Sequence, residues 1–319
     1  MSRHDLVVLG DCNPDVLVLG DDVTPEFGQT EKLVGSISLV IGGSAAITAV
    51  AAARLGLRVA LAAAVGADPA GRFMLDQLAA EGVDVDAVLV RDDAPTGMTV
   101  ALSRGGDRAI LTALGAVASL TAAEVPAELL ARAGHVHASS WFLLEDSLGP
   151  GLAGLFTTAR AEGATTSLDT NWDPNERWTG EHLLSAMAQA DLLLPNEAEA
   201  LRLSSALSVD DAVAKLTASG SRLVVKQGER GALCADGSGQ HQVSLPPVTP
   251  ADTTGAGDCF NAGLIPGLLD GMDLPRAAAL GCAAGALSTG SPGGTASAPD
   301  RPAAVKLAST ASITPAEAG

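Results

Sequence analysis

Short runs of apolar residues recur along the chain, and each of them ends in a glycine, a serine or an asparagine. Runs that are almost continuously apolar are typical of strands buried on both faces of a sheet. The pattern predicts such strands at 5–10, 58–66, 135–140, 165–171, 191–196 and 222–228.

Stretches with helical spacing of apolar residues lie between these runs. They cover 44–56, 71–82, 151–163 and 208–220, and each ends at or beside a glycine, which is a common helix stop. Helices that alternate with buried strands predict an α/β fold with a doubly wound, mainly parallel sheet. The length of 319 residues suits one such domain, spanning 1–319.

Two segments, 12–41 and 96–115, break this rhythm because apolar and polar residues alternate in them. Alternation indicates antiparallel strands, and "RGGD" at 104–107 is a hairpin signal between two such runs. We expect the two segments to form a small antiparallel β-lid, with edge strands of the main sheet as the alternative. An apolar lid face would suit a homodimer. Residues 290–302 are expected to form a loop, and the last dozen residues are expected to be loosely ordered.

Composition narrows the class of protein. Hydrophobic residues make up 47% of the chain, enough for a sizeable core, and the net charge of −18 disfavours binding to nucleic acid or to an anionic membrane. The four cysteines match no zinc pattern, which favours reduced thiols. We find no signal peptide and no membrane-spanning run, so a cytoplasmic protein is expected.

The stretch "DTTGAGD", which ends at Asp258, precedes a run with helical spacing. The first turn of a helix presents unpaired N–H groups and the positive end of the dipole. Gly255, Ala256, Gly257 and Asp258 are therefore a candidate anion cradle, and a plain turn with a helix cap is the alternative. The stretch is not a Walker A loop, because no Gly-Lys-Ser/Thr follows it. It is not a complete GxGxxG either, because Phe260 stands at the last glycine position.

Other small-residue and acidic motifs accompany this stretch. A Gly-Gly pair opens the helix at 41–49, "PNEAEA" spans 195–200, "KQGERGAL" spans 226–233, and Asp15 follows the first strand. In a parallel sheet most of these would lie at the carboxyl ends of strands, where ligand clefts form.

Together these motifs resemble those of the ribokinase-like, or PfkB, carbohydrate kinase family, in order and over essentially the whole chain. The resemblance rests on "DTTGAGDCFNAG", on the Gly-Gly pair, on "NEAE" and on "GERG". It implies a ribokinase-like fold and ATP-dependent phosphorylation of a hydroxyl of a small carbohydrate. A nucleoside is the alternative acceptor, and a catalytically silent binding relative is a more remote one. A dinucleotide-dependent oxidoreductase is disfavoured, since no GxGxxG follows the first strand.

For the chemistry, the resemblance implies that Asp258 is the base for the acceptor hydroxyl. The N–H groups of Gly255, Ala256, Gly257 and Asp258 would form the anion hole for the transferred phosphoryl group. An ordinary carboxylate, with a pKa of roughly 4, would be ionised at neutral pH.

On the nucleotide side, the resemblance implies that Asn196 and Glu199 organise Mg²⁺ through water molecules. The other ATP contacts that it implies are Lys226, Gly228, Gly231, Cys282 and Gly285. For the last two, which would line the adenine, ordinary core packing is an equal alternative.

On the acceptor side, the resemblance implies contacts from Asp15, Gly42, Gly43 and Asp252, with Asn13 as a weaker candidate. In some members the second acid also helps to hold a monovalent cation such as K⁺, here Asp252 with the backbone of Thr254. Sugar kinases of the family often have lysine or another polar residue at Ser44 and asparagine at Ile47. The missing asparagine argues against ribose-like specificity, and the missing lysine argues against a phosphorylated sugar as the acceptor.

The segment from Asp169 through Asn171 and Trp172 resembles an Asp-x-Asn motif of the family. It would position the phosphate or the acceptor, and a structural turn is the equal alternative. The tryptophans would stack on a sugar or fill the core, with core favoured. His135 and His137 lie two apart on a strand, and no third ligand is near them in sequence.

Overall fold

The computed structural model describes residues 4–104 and 107–316, which form fourteen strands and ten α-helices. The strands, in chain order, are β1 His4–Leu9, β2 Asn13–Leu19, β3 Ser36–Gly42, β4 Val59–Gly66, β5 Val88–Arg91, β6 Met98–Arg104, β7 Asp107–Ala113, β8 Ala133–Ala138, β9 Thr165–Leu168, β10 Leu192–Leu193, β11 Arg222–Lys226, β12 Ala232–Asp236, β13 Gly239–Ser244 and β14 Ser312–Pro315. The helices are α1 Ser44–Arg54, α2 Pro69–Ala80, α3 Ala127–Leu130, α4 Gly149–Ala161, α5 Glu181–Gln189, α6 Glu197–Ser204, α7 Val209–Leu216, α8 Ala256–Leu269, α9 Leu274–Ser288 and α10 Arg301–Ala308.

Ten strands form the main sheet, in the order β14-β13-β12-β11-β10-β9-β8-β1-β4-β5. From β5 to β11 every pair is parallel, and β12, β13 and β14 add antiparallel neighbours at one edge. One hydrophobic core packs α1, α2, α8, α9 and α10 on one face, and a second packs α3 to α7 on the other. The predicted doubly wound, mainly parallel sheet is confirmed, and all six predicted strands are present.

The position of β1 determines where a ligand cleft can form. Its neighbours are β4 on one side and β8 on the other, so the order of strands reverses there. The connections that leave β1 and β8 therefore diverge to opposite faces and open a crevice at their carboxyl ends.

A second sheet of four strands, in the order β3-β2-β6-β7, forms the predicted lid. The hairpins β2/β3 and β6/β7 are antiparallel, and β2 and β6 join them by parallel pairing, which was not predicted. The parallel pair arises because β2 follows β1 and β6 follows β5, and these two strands of the main sheet point the same way. Arg104 pairs with Asp107, while the two glycines of the predicted "RGGD" turn lie outside the described residues.

The prediction that the last dozen residues are loosely ordered is wrong for those up to 316, and 317–319 lie outside the described residues. Helix α10 ends at Ala308, and β14 then pairs antiparallel with β13, with Ile313 opposite Val243. Every residue of β14 is exposed, so the strand lacks the apolar run on which the prediction of strands depended. Strands β5, β12 and β13 were missed as well.

Candidate active site

Helix α8 begins at the crevice with the sequence Gly255-Ala256-Gly257-Asp258. Gly255 precedes the helix with φ of 70°, and a Cβ there would lie 2.7 Å from the Cα of Gly294, so the position requires glycine. Asp258 is the third residue of the helix, and the N-cap position offers no side-chain cap. The Ala256 N–H donates to the backbone oxygen of Thr253 at 3.2 Å, and the rest of the positive end of α8 is available to an anion.

Helix α1 begins differently, although a Gly-Gly pair also precedes it. The carboxylate of Asp11 accepts hydrogen bonds from the backbone N–H groups of Ser44, at 3.0 Å, and Ala45, at 2.9 Å. Gly43, with φ of 81°, brings the chain within reach of this carboxylate. The start of α1 is thus neutralised by the protein itself. Sequence reasoning missed Asp11, which follows β1 closely in "GDCNPD".

A cluster of polar residues on the lid strands, which we call the acceptor pocket, contains Asp15, which is 8% exposed. The amide of Asn13 donates to Asp15 Oδ1 at 3.2 Å and to Thr99 Oγ1 at 3.3 Å. A Cβ at Gly42 would lie 1.9 Å from Asp15 Oδ1, so the absence of a side chain at this position makes room for the carboxylate. The structure therefore brings together Asn13, Asp15 and Gly42, three of the residues expected on the acceptor side.

Arg108, on lid strand β7, links this pocket to the segment before α8. Its Nη1 donates to Thr254 Oγ1 at 2.6 Å and lies 3.9 Å from Asp252 Oδ1. Burial and the charge of Asp11 raise the pKa of Asp15 to about 7, and the Arg108 guanidinium opposes that increase. Sequence reasoning missed Arg108, because only the register of the lid strands shows that it faces the site.

A buried ion pair between Asp169 and Lys226 lies at the centre of the crevice. Asn261, one turn after Asp258 on α8, donates to Asp169 Oδ2 at 2.6 Å. A Cβ built at Gly257 would lie 3.6 Å from Lys226 Nζ, so the ammonium group sits beside the start of α8. Burial alone would raise the pKa of Asp169, but Lys226 outweighs it and the pKa is lowered. The Asp169 side chain thus lies beside the start of α8, which it contacts through Lys226 and Asn261.

Asp258 is 7% exposed and does not behave as an ordinary carboxylate. Burial raises its pKa well above the usual value, and the negative charge of Asp169 adds to the effect. Lys226 opposes this increase, and a hydrogen bond from Ser44 does so to a smaller extent. The expectation of an ordinary pKa was wrong because sequence spacing reveals neither the burial nor the neighbouring carboxylates.

Asn196 and Glu199 form a reciprocal cap at the start of α6. Asn196 Oδ1 accepts the N–H of Glu199 at 2.9 Å, and Glu199 Oε2 accepts the N–H of Asn196 at 2.8 Å. Burial and the charge of Asp169 raise the pKa of Glu199 to about 7. A buried carboxylate with an excess of negative charge around it suits a hydrated Mg²⁺, which prefers oxygen ligands and retains water.

Comparison with known proteins identifies the family. The family description "pfkB family carbohydrate kinase" matches residues 3–301. The chain belongs to the pfkB family of carbohydrate kinases. It is 30% identical to a ribokinase from Bacillus subtilis (strain 168) over 93% of this chain and 97% of that protein. It is 31% identical to a 2-dehydro-3-deoxygluconokinase from the same organism, over 84% of this chain and 86% of that one.

Solved structures agree with this family. A putative ribokinase II from Escherichia coli in its apo form superposes with a TM-score of 0.85 at 25% identity, over 96% of this chain and 99% of that one. The putative ribokinase II from E. coli in complex with ATP and Mg²⁺ gives a TM-score of 0.83 at 25% identity over the same shares. The predicted fold, family and enzyme class, an ATP-dependent sugar kinase, are confirmed.

Four more residues are expected to contact ATP in this pfkB kinase, and they differ in how closely the protein packs around them. They are Gly228, Gly231, Cys282 and Gly285. Gly228 faces open space. A Cβ at Gly231 would lie 2.0 Å from a backbone oxygen of β13, and a Cβ at Gly285 would lie 2.8 Å from a backbone oxygen at the start of α8. Cys282 is buried in the hydrophobic core that packs α1, α2, α8, α9 and α10 against the main sheet. Close packing within the fold is therefore enough to explain glycine at 231 and 285.

The segment after β9 contacts the start of α1 through Asn171. Asn171 Nδ2 donates to Ser44 Oγ at 2.9 Å, which connects the Asp-x-Asn motif to the start of α1. Trp141 and Trp178 are buried, as the core alternative predicted. Trp172 is 46% exposed and packs edge-to-face on Trp178, with ring centroids 4.9 Å apart.

His135 and His137 belong to a buried chain of hydrogen bonds. His135 contacts Thr165 and Ser167, each at 2.7 Å, and His137 contacts Ser167 at 2.7 Å and Ser139 at 2.9 Å. Burial lowers the pKa of His135 to about 3 and that of His137 to about 4, so both rings are neutral. Within residues 4–104 and 107–316, no group of three or more His, Cys, Asp or Glu side chains is arranged to hold a metal ion.

A helix needs about 20 predominantly apolar residues to cross a lipid bilayer, which sets a requirement for the helices of this kinase. In the part of the chain that the structure describes, none of them combines the length and the apolar character needed to cross a membrane.

Proposed function

We propose that this kinase transfers the γ-phosphoryl group of ATP to a hydroxyl of a small carbohydrate, with Asp258 as the base. The observation that supports this most directly is the start of α8. There a helix end without a side-chain cap, a buried carboxylate and the ammonium group of Lys226 share one crevice. Anion binding, proton abstraction and charge compensation are the three requirements of phosphoryl transfer to an alcohol.

Asp258 accepts the proton of the acceptor hydroxyl as the oxygen bonds to phosphorus. The N–H groups of Gly255, Ala256, Gly257 and Asp258 hydrogen-bond the oxygens of the transferred group and stabilise the charge that develops on them. ATP supplies the phosphoryl group, and Mg²⁺ neutralises phosphate charge. The raised pKa of Asp258 makes it a stronger base than an exposed carboxylate, provided that nearby cations keep it ionised.

On the nucleotide side, Lys226 is proposed to interact with phosphate and Glu199 with the metal ion. Lys226 neutralises Asp169 and, beside Gly257, attracts the phosphate charge. Glu199 and Asn196 would hold hydrated Mg²⁺ through its water ligands. Gly228 leaves room for the nucleotide. Cys282 and Gly285 would line the adenine only from behind, because both are packed within the fold.

Recognition of the acceptor belongs to the acceptor pocket. Asp15 accepts hydrogen bonds from two acceptor hydroxyls. Asn13 donates to its carboxylate, Gly42 leaves room for that carboxylate, and Gly43 lies beside the amide of Asn13. The side chains that line this pocket, Asn13, Asp15 and Thr99, are polar and none is aromatic, which favours a free carbohydrate over a nucleoside. A nucleoside is the alternative acceptor, since the chain is also 30% identical to a nucleoside kinase from Methanothermobacter thermautotrophicus over 85% of this chain and 84% of that protein.

The test is the release of ADP from ATP and Mg²⁺ in the presence of free sugars, sugar acids, sugar phosphates and nucleosides, each measured separately. A carbohydrate should stimulate ADP release above the background, and mass spectrometry should show one added phosphoryl group on it. Asp15→Asn should abolish that stimulation without changing the slow hydrolysis of ATP alone. If only nucleosides stimulate ADP release, the acceptor is a nucleoside and the proposed carbohydrate acceptor is wrong.

We also propose a homodimer in which two lids meet. One face of the lid sheet exposes three large apolar side chains, Ile37, Leu39 and Leu111, which are 44–65% exposed. Apolar residues in such number on one small sheet favour burial against a second copy. Sedimentation analysis should show a dimer that Ile37→Lys converts to a monomer, and a monomeric wild-type protein at all concentrations would contradict this.

A further inference from the structure

The monovalent cation that the family resemblance implies would bind at Asp252, and the surroundings of this carboxylate do not suit it. Asp252 Oδ1 accepts the N–H and the hydroxyl of Thr254, at 2.9 and 2.8 Å, and Oδ2 accepts the N–H of Gly293 at 2.8 Å. Both oxygens are therefore already engaged by donors of the protein. A cation at this position would have to share them.

The positive charge at this place is Arg108. Its Nη1 donates to Thr254 Oγ1 at 2.6 Å, and the same hydroxyl donates to Asp252 Oδ1, so the three side chains form a continuous series. The guanidinium also lies 3.9 Å from Asp252 Oδ1. Arg108 thus compensates the charge of Asp252 both directly and through Thr254.

A second cation on Asp252 would be repelled by this guanidinium. Two unit charges about 5 Å apart, at an effective dielectric constant of about 20, repel each other enough to weaken binding roughly 200-fold. K⁺ is bound weakly by oxygen ligands even without such a neighbour. The arrangement therefore disfavours occupancy by K⁺ at ordinary concentrations.

We propose that Arg108 takes the place of the monovalent cation, so that turnover by this kinase is independent of K⁺. The inference rests on the proposed reaction at the start of α8, which Thr254 immediately precedes. Because Arg108 belongs to lid strand β7, its charge reaches Asp252 only when the lid is in place. The charge of Asp252, beside the anion hole, is thus compensated only when the lid is in place. A dissolved cation would not depend on the position of the lid in this way.

The kinetic test compares KCl with N-methyl-D-glucamine chloride at equal ionic strength. Wild-type kcat/KM should be the same in both salts. Arg108→Ala should lose about 100-fold in kcat/KM, the effect of removing one preorganised positive donor, and should regain much of it with K⁺. The matched control is Lys32→Ala, which removes one positive charge from the lid segment at a site paired with Asp22 and Glu26. It should remain insensitive to K⁺.

A second measurement does not depend on turnover or on knowing the acceptor. Crystals soaked in Rb⁺ should show no anomalous peak beside Asp252 in the wild type and a peak there in Arg108→Ala. K⁺ should likewise raise the unfolding temperature of the variant only. Strong activation of the wild type by K⁺, a Rb⁺ peak beside its Asp252, or an Arg108→Ala variant that neither binds Rb⁺ nor responds to K⁺ would overturn the proposal. If no acceptor is phosphorylated, the proposed function fails, while the Rb⁺ experiment still decides the cation question.

Discussion

Replacing Asp15 by asparagine should stabilise the ligand-free protein at alkaline pH. The carboxylate is 8% exposed, and its pKa is raised from the reference of 3.8 to about 7. A difference of about 3 pKa units corresponds to about 4 kcal/mol of destabilisation once the group is ionised in the folded state. Asparagine keeps the shape and avoids the buried charge, so most of this free energy should be recovered.

The direction of the pH dependence follows from the raised pKa of Asp15. Its contribution to stability is fully present below the unfolded pKa of about 4 and is lost as pH rises through about 7. Wild type and Asp15→Asn should therefore have nearly equal free energies of unfolding at pH 4. The free energy of unfolding of the variant should exceed that of the wild type by an amount that grows up to pH 8. The wild type retains the buried charge at that pH because acceptor binding requires it.

Urea unfolding at pH 5 and pH 8, with equal m-values, measures this difference. The matched control is Asp252→Asn, because donors from Gly293 and Thr254 and the charge of Arg108 outweigh burial and lower the pKa of Asp252. That variant should be less stable than the wild type at pH 8. An Asp15→Asn variant that is destabilised at pH 8, or whose advantage does not grow between pH 5 and pH 8, would refute the reasoning.

Lys226→Met should lower the free energy of unfolding by about 3 kcal/mol in urea titrations, because it leaves Asp169 buried without its cation; a loss below about 1 kcal/mol would mean that the pair is not buried as described. The same change should move the acid limb of the kcat/KM profile to higher pH, as Asp258 loses the cation that opposes its raised pKa, and an unmoved limb would speak against that coupling. Gly42→Ala should raise the KM for the acceptor and leave the KM for ATP unchanged, since its Cβ would displace a carboxylate oxygen of the acceptor pocket. Gly154→Ala, a helix position with open space around it, should behave as wild type in both, and equal effects of the two glycine substitutions would remove the steric explanation.

The sheet and its helices could be predicted because they follow from local patterns. The six buried strands are almost continuously apolar, and the glycines at helix ends mark where each unit closes. β14 could not be predicted in the same way, because all its residues are exposed and its pairing with β13 supplies the order. Local periodicity reports burial, and an exposed edge strand has little of it.

The site was predictable only as far as its motifs are contiguous in sequence. The start of α8, Asn196 with Glu199, and the Gly-Gly pair could each be recognised as short stretches. Arg108 could not, because its contact with Thr254 joins residues 146 positions apart. The pair of Asp169 and Lys226 likewise joins residues 57 positions apart, and it changes the pKa of Asp258, which no local pattern reveals.

The measurement that tests the central claim most directly is the turnover of Asp258→Asn, with ATP affinity measured on the same preparation. Asparagine preserves the size of the side chain and removes the base, so kcat should fall by about 100-fold to 10,000-fold while calorimetry shows ATP binding within the range of the wild type. A variant that retains most of its turnover with the preferred acceptor would contradict the assignment of Asp258 as the base.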